Sequence, residues 1–236
     1  MAFEQNRLST EPFGAPTGAL GAAQRNRVLR NTYALLALSM VPTVLGAWIG
    51  ITTGFSFFSV SPFIGLMVFM AVAFGFFFAI DKFKNSVIGV GLLLGFTFFM
   101  GLMLSRLVGH VLGFSNGASL VMTAFGGTAG IFAVMATIAT VSKRDFTGMG
   151  KWLFVGFLVI FVAAIANIWL QMPALTLTIS ALAVLIFSAF ILVDLQRVVN
   201  GGETNYVTAT LSVYLSVYNV FSNLLMLLGI FGGDRE

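Results

Sequence analysis

A chain of 236 residues in which 58% are hydrophobic and 8% are charged, with mean hydropathy +1.01, lies far outside the mix of a water-soluble domain. Its net charge of +4 would suggest nucleic acid in a soluble protein, but the basic residues stand between apolar runs and report orientation instead. The lack of cysteine excludes disulfides, thiolate metal sites, iron–sulfur clusters and cysteine nucleophiles, and leaves the redox compartment open.

In chain order, residues 1–30 are rich in Gly, Pro, Ser and Thr and have too few apolar side chains to pack, which predicts a mobile cytoplasmic tail. Residues 31–231 then hold seven long apolar runs, at 31–51, 61–80, 86–104, 118–141, 151–171, 174–199 and 205–231. Crossing the hydrocarbon takes about 20 apolar residues, so each run is a candidate transmembrane helix. Residues 232–236 make a short C-terminal tail, and the expected fold class is an all-α membrane protein with a seven-helix bundle. The first run has the length of a full span and lacks a small-residue cleavage pattern after it, unlike a removable signal.

Pro42 in the first run predicts a kink whose freed carbonyls need cover from neighbours such as Ser39 or Thr43. Small residues four apart, Gly46 with Gly50, Gly91 with Gly95 and Gly126 with Gly130, mark contact faces, read as packing within the chain in preference to dimerisation. Alternate loops place Arg7, Arg25, Arg27, Arg30, Lys82, Lys84, Lys143, Arg144, Lys151 and Arg197 on one side and only Arg106 and Arg235 on the other. The positive-inside rule then puts the N-terminus in the cytoplasm and, with seven spans, the C-terminus outside. A re-entrant seventh segment is the alternative, because that run is the most polar.

Asp194, near the cytoplasmic end of the sixth run, is the sole carboxylate inside the apolar runs, and Arg197 follows on the same helical face. An ion pair capping the helix and a proton-sensitive switch are both open readings. In the last run Ser212, Ser216, Asn219 and Asn223 recur at steps of four, three and four, a polar stripe that must be covered in a membrane. Hydrogen-bond glue between helices and the lining of a hydrated cavity are the two readings of that stripe, and either places this helix inside the bundle.

Catalytic signatures fail on context. Gly113-Phe114-Ser115-Asn116-Gly117 fits the G-x-S-x-G pattern with His110 nearby, but it lies in a polar loop between membrane helices rather than on a strand-to-helix elbow. A single histidine allows no H-E-x-x-H zinc site, and Asp194 has no second acid within the bilayer for aspartyl chemistry. Gly89, Gly91 and Gly95 lie mid-span and make no phosphate-binding loop. No catalytic residue, metal site or cofactor is therefore expected.

The stretch GGETNYVTATLSVYLSVYNVFSNLLMLLG resembles the signature of the transmembrane Bax-inhibitor-motif family, particularly its bacterial branch of FtsH protease modulators. VLRNTYALLALS, FGGTA and ANIWLQMPAL extend the similarity over nearly everything after the tail. The resemblance implies seven helices with the seventh enclosed by the other six, in a bacterial inner membrane. It brings two activities: a pH-sensitive cation or calcium leak governed by an aspartate pair, and binding and inhibition of a membrane-anchored ATP-dependent protease. Asp194 matches one member of the aspartate pair, but Ser216 stands where the second would be, so coupled titration and a second anionic ligand for calcium are missing. That favours protease modulation, with the N-terminal tail as a segment the protease could grip. In GGETNY, Gly201 and Gly202 are read as the turn between helices six and seven, Glu203 as favourable near the next helix start, and Tyr206 as an interfacial anchor.

Overall fold

The computed structural model describes residues 17–55 and 61–233, and the outer parts of both expected tails, 1–16 and 234–236, lie outside the described residues. Seven α-helices run in chain order: α1 Thr17–Thr53, α2 Pro62–Phe83, α3 Val87–Leu112, α4 Gly117–Val141, α5 Gly150–Leu170, α6 Pro173–Val199 and α7 Tyr206–Gly232. All seven are long and apolar enough to cross a membrane, and α7 is a continuous helix rather than a re-entrant piece.

Two helices overrun the apolar runs that define them. α1 begins at Thr17, well ahead of residue 31, because Gly21-Ala22-Ala23-Gln24-Arg25 and the residues after it are mostly good helix formers. Its 37 residues measure about 55 Å, so it stands clear of a hydrocarbon core of about 30 Å. α3 continues to Leu112, which makes Arg106 and His110 helical residues rather than loop residues. Asp81 likewise falls in the last turn of α2, so Asp194 is not the only carboxylate on a spanning helix, but Asp81 is paired with Lys84 at 2.8 Å.

α1 and α3 make the closest pair in the fold. A Cβ on Gly46 would strike the Phe98 carbonyl, and one on Gly101 would strike the Thr43 carbonyl, so each glycine lets the other helix's backbone in. Gly50 packs in the same way against Ser105. α7 packs against α1, α2, α3, α4 and α6, while α5 lies on α6 and on the single 3-10 turn, Thr147–Met149, that precedes it. The main core gathers Ile80, Leu93, Phe96, Ile191, Leu195, Val213, Tyr214 and Val220 from α2, α3, α6 and α7.

The expectation of intramolecular packing holds for Gly46 and Gly50, and for Gly95 against Phe76 of α2, but fails at the other three glycines. Nothing lies within 4 Å of a Cβ built on Gly91, Gly126 or Gly130, and Gly126 and Gly130 sit on the exposed face of α4. Spacing alone marks a smooth helix face and does not say whether another helix covers it.

Candidate functional site

α6 carries Asp194 half-buried one turn before its end, with Ser216 of α7, itself 4% exposed, set against the carboxylate. Arg197 and Glu203 also act on that carboxylate through space. Arg197 is exposed, and among the described residues the sole ion pair is Lys84–Asp81, so Asp194 and Arg197 share a helix face without closing a salt bridge.

Around this carboxylate four chain segments are tied together. Gln196, buried two residues after Asp194, accepts a hydrogen bond at Oε1 from the Phe146 N–H and donates from Nε2 to the Arg144 carbonyl at 2.6 Å, which clamps the α4–α5 connector to α6. Asn205 caps α7, its Oδ1 accepting from the N–H groups of Val207 at 2.9 Å and Thr208 at 3.2 Å. Its Nδ2 donates to the Lys84 carbonyl at 3.1 Å and to Asn85 Oδ1 at 2.8 Å, joining the α6–α7 loop to the α2–α3 loop. Arg25, on the extension of α1, donates to the Val199 carbonyl at 3.1 Å, and Val28 packs with Val198 and Ala209.

The GGETNY segment forms the loop itself. α6 ends as the N–H groups of Gly202 and Glu203 return to the Arg197 carbonyl at 2.8 and 3.1 Å, with Gly201 at φ 78°, a left-handed conformation that suits glycine. Glu203 Oε1 accepts from the Asn205 N–H at 2.8 Å, ahead of the helix rather than within its first turn, and Tyr206 is the first residue of α7.

The polar stripe of α7 divides. Ser212 is exposed and Ser216 buried, while Asn219 and Asn223 turn their amides back to the Leu215 and Asn219 carbonyls of their own helix, both at 2.8 Å. Apart from Ser216 against Asp194, interhelical bonding comes from the other side of α7. There the Tyr214 hydroxyl donates to Thr43 Oγ1 at 2.8 Å with the Thr97 carbonyl 3.4 Å away, while Thr210 donates to the Tyr206 carbonyl of its own helix at 2.6 Å and lies 3.4 Å from the Thr32 carbonyl. Beside Pro42, the Thr43 hydroxyl donates to the Ser39 carbonyl at 2.8 Å, the local cover expected of it.

Sequence reasoning passed over Gln196, Asn205, Arg25 and Tyr214. An Asn just before an apolar run is a helix-start signal, and a Gln inside one is a polar residue that needs partners, so two of these were within reach. Among the described residues no three His, Asp or Glu side chains come together to hold a metal ion.

Seven apolar spans, with polar side chains that tie loops and helices together, define a polytopic membrane protein. The sequence model of the family described as inhibitor of apoptosis-promoting Bax1 matches residues 25–233, and the chain belongs to that family. It is 36% identical over 209 residues to the modulator of FtsH protease YccA of Escherichia coli K12, covering 89% of this chain and 92% of that one. It is also 34% identical over 227 residues to a membrane protein of Vibrio cholerae, covering 96% of this chain and 100% of that one. A Neisseria meningitidis protein is 37% identical over 212 residues, covering 89% of this chain and 93% of its own.

Proposed function

We propose that the chain is a regulator in the bacterial inner membrane that binds a membrane-anchored FtsH-type ATP-dependent protease and inhibits its action on other membrane proteins. The observation that carries this reading is likeness across 89% of the chain to a relative named for modulating that protease. The open face of α4 supports it. Ser119, Thr123, Gly126, Gly130, Ala133 and Thr137 follow one another at steps of four and three, all exposed, while Leu120, Ala124 and Thr128 on the same helix are buried against the bundle. A row of small side chains lets another transmembrane helix approach backbone to backbone, where dispersion and weak hydrogen bonds hold it.

In this reading α7 is a central post set among α1, α2, α3, α4 and α6, with α5 outside them on α6. The N-terminus lies in the cytoplasm, where the clustered Lys and Arg put it, and the C-terminus in the periplasm. Of the expected tail, the residues ahead of α1, 1–16, offer the protease an initiation segment. Asp194 serves with Ser216 to hold α6 against α7. One carboxylate facing a hydroxyl cannot share a proton as two carboxylates do, so the site lacks the two-step titration of an acid pair.

Co-purification of the tagged chain with the protease, together with turnover of a protease substrate in membranes, tests the reading. Deleting residues 1–16, or replacing Gly126 and Gly130 by leucine, lowers association and restores turnover. If both variants bind and inhibit like the original chain, the proposed contacts are wrong. If the purified chain instead passes calcium into liposomes in a manner that Asp194→Asn alters, a cation leak takes the place of protease modulation.

A further inference from the structure

The overrun of α3 places Arg106 and His110 four residues apart on one helix face, both exposed on the outside of the bundle. Arg106 stands six residues, about 9 Å of helix, before the end of a span. The described carboxylates gather at the opposite end. Asp194 and Glu203 flank the α6–α7 loop, Asp81 adjoins the α2–α3 loop bonded to it, and Asp145 lies in the connector held by Gln196. Among the described residues Arg106 therefore has no counter-ion.

Beside the pair runs a groove of about 290 Å³ between α3 and α7, lined by Leu107, His110, Phe114, Met226, Gly229 and Ile230 among others. Its walls are apolar apart from His110, whose ring stands edge-on to Phe114 at 5.2 Å. Gly229 keeps the groove open, since a Cβ there would press on Val111 at 3.0 Å.

We propose that this is the seat of one phospholipid, with an acyl chain in the α3–α7 groove and the phosphate on Arg106 and His110. An arginine this close to the hydrocarbon is costly unless an anion meets it. A guanidinium binds phosphate oxygens through paired N–H donors, and an imidazole one turn away adds a further donor. A free phosphate would use only the basic pair, and a neutral lipid only the groove. Their adjacency selects an amphiphile that carries both parts.

The test uses the purified, delipidated full chain and native mass spectrometry, with phosphatidylglycerol, diacylglycerol and glycerol phosphate as separate probes. One phosphatidylglycerol stays bound, and neither half-molecule does at the same concentration. Arg106→Gln weakens retention about tenfold while Arg106→Lys keeps most of it. Met226→Trp, which fills the groove and leaves the basic pair intact, also releases the lipid. Equal retention by the original chain, Arg106→Gln and Met226→Trp would overturn the proposal. So would glycerol phosphate binding as well as the lipid, which makes the site one for free phosphate, or diacylglycerol binding as well, which removes the phosphate from recognition. If the lipid binds only after residues 234–236 are deleted, the basic pair belongs to the chain's own acidic end and the proposal falls.

Discussion

The Tyr214 hydroxyl, held between Thr43 of α1 and the Thr97 carbonyl of α3, does work across helices that the amides of Asn219 and Asn223 do not. Tyr214→Phe should therefore lower unfolding free energy in detergent by about 1 kcal/mol, in the range of interhelical bonds in membranes, and Asn219→Ala by less. Equal losses in the two variants would contradict this division of α7. At Asp145 the effect is electrostatic: the N–H and hydroxyl of Thr147 donate to Oδ1 at 2.9 and 2.7 Å and hold its carboxyl below the usual aspartate range. A depressed folded-state value means that the order it gives is present at neutral pH and disappears as pH falls through that value. The Thr147 amide should change its chemical shift in acid with a midpoint below that of an unpaired aspartate. A change near neutrality would count against the bond.

At the scale of elements, Asn205 combines a helix cap with a bridge to the α2–α3 loop. Asn205→Ala should cost about 1 kcal/mol for the cap and should speed amide exchange at Lys84 and Asn85 as well as at Val207. Faster exchange at Val207 alone would mean that the bridge is idle. The helices themselves were legible because a span must be apolar for about 20 residues, a demand that composition shows directly. Their ends were less so. Arg106 and His110 break the apolar run of α3, yet the helix goes on, because backbone groups near lipid need partners and long polar side chains can reach the surface. The polar stripe was legible as a pattern, but its bonding was not. An Asn amide satisfied by its own helix leaves the same trace in sequence as one that bonds a neighbour. Gln196 escaped because its partners, Phe146 and Arg144, are main-chain groups that no side-chain pattern announces.

For the whole molecule the close approach of α1 and α3 is the tightest constraint. Gly101→Ala puts a methyl against the Thr43 carbonyl, forces the two helices apart and should cost about 1–3 kcal/mol, read as earlier thermal unfolding in detergent. Gly126→Ala, with open space around it, should leave that midpoint unchanged, and similar losses in both would undo the argument. The same pair also bears on how the chain is made. A ribosome delivers α1 and α3 long before α7, and their interlocking needs no later helix, whereas α7 requires neighbours from both halves of the chain. Tyr214 thus enters a berth whose Thr43 hydroxyl and Thr97 carbonyl, on α1 and α3, were in place before it was synthesised.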